Sequence, residues 1–418
     1  MSTARSSKPD SRRIARALRG PALFILTLLA IEFLDEFVYG AREAAWPLLR
    51  TDLALTYAQI GLLLGIPRIV GNLIEPLLGI LGDVWKRRAL IVGGGLIFTA
   101  ALLLTGFALN FPILLIAFSV LSPASGAFVS LSQASLMDSD PKRHEQLMAR
   151  WTLAGSVGVV AGPLALGAAS ALGLGWRGLF VAFTALALGL ALLVWRQPFG
   201  NGPAKTEPNG LRAGVLNAVR ALRRKAVLRW LILLEFSDFM LDVLLGFLAL
   251  YFVDVVGVTP ALAGAAVAIW AIVGLVGDAL LIPLLERVRG VVYLRYSALV
   301  MLCLYPAFLL APSVWVKLVL LAALGLGNSG WYAILQGRLY SEMPGQSGTV
   351  MAINSAFGVV AGIIPALLGF AAERFGLPVA MWLLVLGPVA LLVGLPTSPP
   401  DPSSPEVSGS TSGEGAGG

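Results

Sequence analysis

The chain has 418 residues, of which 57% are hydrophobic and only 13% charged, with a mean hydropathy of +0.85 and a net charge of +7; a water-soluble domain of this size needs roughly a quarter of its residues charged. A single cysteine, Cys303, and a single histidine, His144, exclude an intramolecular disulfide, a thiolate cluster, a His-based zinc site and a His-dependent nucleophilic triad. The basic residues lie in short loops between apolar runs, so they point to topology and anionic lipid head groups rather than nucleic acid.

Residues 1–20 form a basic segment holding Arg5, Lys8, Arg12, Arg13, Arg16 and Arg19. The apolar run that follows passes through charged residues and has a counterpart later in the chain, so it reads as a span and not as a cleaved signal. Runs near the ~20 residues that cross a hydrocarbon core predict helices over 22–46, 57–80, 88–109, 111–136, 149–172 and 176–196, making a first six-helix bundle at 21–196. Residues 197–227 are a polar linker in which Leu211 to Leu228 reads as a basic amphipathic helix on the membrane surface. A second bundle at 228–396 follows, with helices over 228–253, 261–285, 291–312, 314–337, 349–371 and 377–396. Asn110-Phe111-Pro112 and Ala311-Pro312-Ser313 read as tight turns, and residues 397–418 as a disordered tail. The fold class expected is all-α integral membrane, with twelve transmembrane helices. Of the 30 Lys and Arg, all fall on or beside cytoplasmic segments except Arg42, Arg50, Arg177, Lys317 and Arg374, placed outside, and Arg68, inside a span. That bias puts both termini in the cytoplasm.

The two halves are related in sequence. Glu32-Phe33-Leu34-Asp35 returns as Glu235-Phe236-Ser237-Asp238, 203 positions on, and at that offset Glu75 matches Asp278, Asp83 matches Glu286 and Gln133 matches Gln336. Gly158-Val159-Val160-Ala161-Gly162 recurs letter for letter at Gly358 to Gly362. Ordered matches at corresponding spans mark a duplicated six-helix unit.

Gly79-Ile80-Leu81-Gly82-Asp83-Val84-Trp85-Lys86-Arg87-Arg88, between spans two and three, resembles the signature loop of the major facilitator superfamily, with Val84 and Lys86 departing from it. The resemblance covers 20–396 and implies two pseudo-symmetric bundles, a central cavity lined by spans 1, 4, 7 and 10, and a latch. In that latch Gly79, Asp83, Arg87 and Arg88 hold the halves together, Asp83 facing the helix N-terminus near Ser347 and Thr349; alternatively these charges only set topology. Gly158, Gly162 and Pro163 are similar to the span-five signature of proton-coupled exporters in that superfamily, and with Gly358 and Gly362 they also suit ordinary helix packing. Pro47-Leu48-Leu49, Leu55 to Gly61, Glu75-Pro76-Leu77 and Tyr340 to Gly348 are similar to the fosmidomycin-resistance branch of exporters.

Glu32, Asp35, Glu36 and Tyr39 share one face of span one; Glu235, Asp238 and Asp242 share one face of span seven. Arg68, Asn72 and Glu75 form a stripe on span two, and span eight carries Asp278. Charges at mid-membrane are costly, so these stripes are expected to face a water-filled cavity or to pair across helices. Gln133, Asn328, Trp331, Tyr332 and Gln336 are the expected polar and aromatic walls. Eight acids against one base leave carboxylates without a cation once Arg68 pairs with Glu32 or Asp35, which lie at similar depth in span one. Such carboxylates can trade a proton for a cationic substrate; the competing role is to lock the halves by hydrogen bonds. Gly200 to Thr206 lacks the ending of a nucleotide-binding loop. A monomeric secondary transporter in a bacterial inner membrane is expected, exporting a drug-like amphipathic compound against protons, with no cofactor, no metal and no enzymatic activity. Nutrient uptake by proton symport and a non-transporting receptor are the rivals.

Overall fold

The computed structural model describes residues 11–84, 86–139, 144–197, 220, 222–343 and 347–396; most of the expected amphipathic helix and the whole C-terminal tail lie outside them. The described residues form helices joined by short turns, with no strand among them. In the first half α1 is Ser11–Leu53, α2 Tyr57–Val84, α3 Arg87–Gly106, α4 Phe111–Ser139, α5 His144–Ala171 and α6 Gly175–Arg196. In the second half α7 comes in two pieces, Lys225–Asp238 and Asp242–Leu250, the latter running on into a π-helical turn, Tyr251–Val255. Then come α8 (Pro260–Leu285), α9 (Gly290–Leu310), α10 (Val314–Gly327 and Trp331–Ser341), α11 (Ser347–Ala361 and Ile363–Phe375) and α12 (Leu377–Leu383 and Leu386–Gly394).

Ten of these are long and apolar enough to cross a membrane. The other two, α1 and α7, expected as spans from the sequence, carry acidic stripes, and α7 is also broken into shorter pieces. The helix starts follow from the turns. Asn110 caps α4 by accepting the Ile113 amide at 3.1 Å, with Pro112 in the first turn, and Thr259-Pro260 opens α8 in the same way. Helix α1 runs 43 residues, well beyond the expected 22–46. Pro163 lies inside α5, which continues through it to Ala171.

Glycines set the closest approaches. A Cβ on Gly158 would meet the Phe37 amide nitrogen of α1 at 2.9 Å, and one on Gly162 would overlap the backbone of Gly40 and Ala41. The same five-residue pattern in α11 serves a different neighbour. Gly358 lies against the Asn72 side chain and Gly362 against Gly65 and Ile69, all of them on α2 in the other half. One copy of the repeat therefore closes a bundle, while the other closes the joint between bundles. Both are close-packing contacts that only a missing side chain allows.

The joint is tight at the end bearing the α1–α2 turn. Arg50 pairs with Asp254 at 3.1 Å, the Tyr57 hydroxyl donates to Asp254 at 2.9 Å, and the Tyr57 amide donates to Glu373 at 2.8 Å. Near the opposite end of α5 and α8 the two helices stand apart around a cavity of about 820 Å³.

Candidate functional site

A second cavity of about 550 Å³ sits between the bundles, lined from the first half by α1, α2 and α4 and from the second by α7, α10 and α11. Its polar lining includes Asp35, Tyr39, Arg42 and Glu43 of α1, Arg68, Asn72 and Glu75 of α2, Ser122 and Ser125 of α4, Asp242 of α7 and Tyr332 of α10. The acidic stripes of both halves thus reach one compartment, as their helical spacing predicts.

The charges are not paired as depth alone suggests. Arg68 donates to Asp238 at 2.5 Å and has Glu235 at 3.9 Å, so the cation of the first half is tied to the acids of the second. This corrects the expected pairing with Glu32 or Asp35: equal depth says nothing about which bundle a side chain faces. Asp35 instead accepts from the Ser125 hydroxyl, 2.9 Å to each oxygen. Arg42 is held by Glu43 at 2.6 Å, and Glu43 also accepts from the Trp46 indole at 2.8 Å. With both arginines engaged, Asp35, Glu75 and Asp242 line the cavity with no salt-bridge partner among the described residues. Glu75 makes no hydrogen bond at all among them, and Asp242 accepts only from Tyr39, at 3.2 Å.

That last contact joins residues 203 positions apart, the offset of the sequence repeat, so equivalent points of the two halves touch across the joint. The duplication is visible a second time. Glu75 packs against Gly126, where α4 carries a π-helical turn over Gly126–Ser130, and a Cβ there would meet Glu75 Cγ at 2.8 Å. Its counterpart Asp278 accepts the Gly330 amide at 3.0 Å, where α10 is broken. Each half has an acid on its second helix aimed at an irregularity in its fourth.

Several expected wall residues lie elsewhere. Asn328 is buried and its amide donates to the Met240 carbonyl at 2.6 Å, joining the break in α10 to the break in α7. Trp331 is fully buried and donates to Ser297 of α9. Gly330, at φ +72°, resets the helical register, so the stripe extrapolated from 328 to 332 does not continue, and only Tyr332 reaches the cavity. Gln336 accepts from Asn354 at 3.0 Å, and Gln133 points to the Met148 sulfur at 3.6 Å. Glu32 and Glu36 face Gly155 and Gly158 of α5; neither lines this cavity, and neither makes a hydrogen bond or ion pair among the described residues.

The expected latch is only partly in view. Arg87 pairs with Asp138 of α4, while the side chains of Asp83, Ser347 and Thr349, and the surroundings of Gly79, lie outside the described residues. Sequence reasoning misses Arg42 and Glu43 as cavity residues: it counts Arg42 with the charges on the outer side, yet both extend the α1 stripe at i+3 and i+4 from Tyr39. Lys317, likewise expected outside, is buried and donates to the Tyr251 hydroxyl and the Phe308 carbonyl, both at 2.7 Å, and to the Leu309 carbonyl at 3.0 Å. It caps the end of α9.

Solved structures share this architecture. A bacterial homolog of the human lysosomal transporter Spinster, inward-facing and unoccupied, superposes with a TM-score of 0.72 at 19% identity over 93% of this chain and 96% of that one. The nucleoside transporter NupG gives 0.72 at 16% identity, over 89% of this chain and 98% of that one. At such identities the likeness is one of fold. No curated protein matches the chain in sequence. The family model for the Major Facilitator Superfamily matches residues 28–366. This multi-pass, two-bundle membrane protein belongs to the major facilitator superfamily.

Proposed function

We propose that the chain is a proton-coupled exporter that carries a small amphipathic cation or zwitterion through the central cavity by alternating access. The observation that carries this reading is the charge balance of the cavity: Asp35, Glu75 and Asp242 face it from both bundles without a cationic partner among the described residues, whereas Arg42 and Arg68 are both taken. A carboxylate screened from bulk water and lacking a cation can hold either a proton or a cationic solute. Competition between the two for the same oxygens couples their movement in opposite directions.

The geometry supports a rocking exchange of access. One end is closed by Arg50, Asp254, Tyr57 and Glu373, and the halves stand apart near the other end of α5 and α8. With the termini in the cytoplasm, as the basic loops suggest, this is an inward-facing state. The likeness of Pro47-Leu48-Leu49 and Glu75-Pro76-Leu77 to the fosmidomycin-resistance exporters supports export as the direction.

The test is flux in proteoliposomes loaded with a pH-sensitive dye and given a panel of amphipathic cationic dyes. Addition of a transported dye should move protons the opposite way, and Asp35→Asn and Asp242→Asn should each cut that proton movement at least tenfold and weaken binding of the cationic dye. Full proton movement in both variants would remove these carboxylates from the coupling, and proton movement in the same direction as the dye would make the protein a symporter.

A further inference from the structure

The 820 Å³ cavity between α5 and α8 shares no lining residue with the central one. Thr152, Leu153 and Ser156 of α5 form one wall, Leu275 and Ile282 of α8 the other, and Met137 of α4 and Met148 of α5 complete it. Among its lining residues Asp278 alone is ionisable. One oxygen of Asp278 accepts the Gly330 amide at 3.0 Å; the other has no partner among the described residues. Leu153 and Ile282, at 57% and 70% exposure, extend the apolar walls outward to the rim.

We propose that this gap is a second binding site, for an amphipathic monocation: a quaternary or protonated centre with an apolar body. The volume lies in the range of small-molecule sites, and one oriented polar group within apolar walls is how such sites fix a ligand's direction. The free Asp278 oxygen takes the charged centre, while Leu275, Ile282 and the two methionines cover the body. Thioether side chains adapt to varied shapes, so the site selects by charge and apolarity more than by outline. Because one wall comes from each half, an occupant bridges the two bundles where they stand apart.

Equilibrium protection of a cysteine in the gap tests this without any gradient, so it reads out independently of the proposed transport. The full-length chain carries Cys303→Ser, which removes the exposed native thiol, together with Ser156→Cys, and is alkylated with N-ethylmaleimide in nanodiscs. Tetraphenylphosphonium should slow alkylation saturably, and Asp278→Asn should raise the half-protecting concentration about tenfold, as loss of one ion pair in a poorly solvated cleft requires. Asp278→Glu should restore most of the protection. Neutral triphenylphosphine oxide, which keeps three of the four aryl groups but carries no net charge, should protect poorly. Should Asp278→Asn not fold, the comparison of charged and neutral compounds on the unaltered Asp278 decides. An unchanged half-protecting concentration in Asp278→Asn, equal protection by the neutral compound, or loss of protection in Asp242→Asn would each overturn the proposal, the last by placing the cation in the central cavity.

Discussion

The ion pair between Arg68 and Asp238 ties the two bundles through the cavity, and a double-mutant cycle measures it. Opposite unit charges about 4 Å apart attract by ~4 kcal/mol at an effective dielectric of about 20. Arg68 lines the cavity and both side chains are partly exposed, 30% for Arg68 and 13% for Asp238, so about half of this, ~2 kcal/mol, is the expected coupling. Arg68→Gln leaves both Asp238 and Glu235 without their cation and should destabilise by ~2–4 kcal/mol. Asp238→Asn should cost less, because Glu235 remains 3.9 Å from the guanidinium. The double variant should then fall short of the summed single losses by ~2 kcal/mol. Unfolding by sodium dodecyl sulfate in mixed micelles, followed by intrinsic fluorescence, supplies the three free-energy differences. If the single losses add to within ~0.5 kcal/mol, the residues act independently, and Arg68 is not taken by the acids of the second half.

Two further outcomes follow from the packing. Gly162→Ala places a methyl into the Gly40–Ala41 backbone and should cost ~1–3 kcal/mol in the same unfolding assay, whereas Gly167→Ala, with nothing within 4 Å of the added carbon, should stay within ~0.5 kcal/mol; similar losses at both positions would deny the close contact of α1 with α5. Linking Arg50→Cys to Asp254→Cys with a short bifunctional thiol reagent, in a Cys303→Ser background, should stop transport reversibly. A linked protein that still turns over would mean that this end does not open during transport.

The architecture was readable because its signals are periodic and repeated. Apolar runs at membrane length and the 203-residue offset hold in the structure, and Arg68, Asn72 and Glu75 of α2 line the cavity together, whereas on α1 only Asp35 and Tyr39 of the stripe reach it and α7 breaks between Asp238 and Asp242. Helices α1 and α7 were legible as spans although their acids lower the hydropathy of each, because the surrounding apolar runs keep membrane length; the break in α7 between Asp238 and Asp242 was not legible. On α10 spacing fails at a break: Asn328 and Trp331 follow or flank residues that leave helical geometry, and no periodicity carries across Gly330; on unbroken α1 it fails because Glu32 and Glu36 turn to α5, which only the packing reveals. Pairing was illegible for another reason. Arg68 has acids at comparable depth in both halves, and choosing between them needs the arrangement of α2 against α7, which is a tertiary fact. The burial of Lys317 was equally invisible, because its partners include the backbone carbonyls at the end of another helix.

Helices α7 and α10 are each interrupted at mid-length, and Asn328 fastens one interruption to the other through the Met240 carbonyl. The two breaks are thereby fastened to one another, so a displacement of one is carried to the other. A solute that draws Asp242 toward itself would therefore also swing the segment bearing Tyr332, with no contact of its own to α10. The first half has only a π turn in α4 at the corresponding place, so among the described residues the halves differ in how far their cavity-lining helices are interrupted.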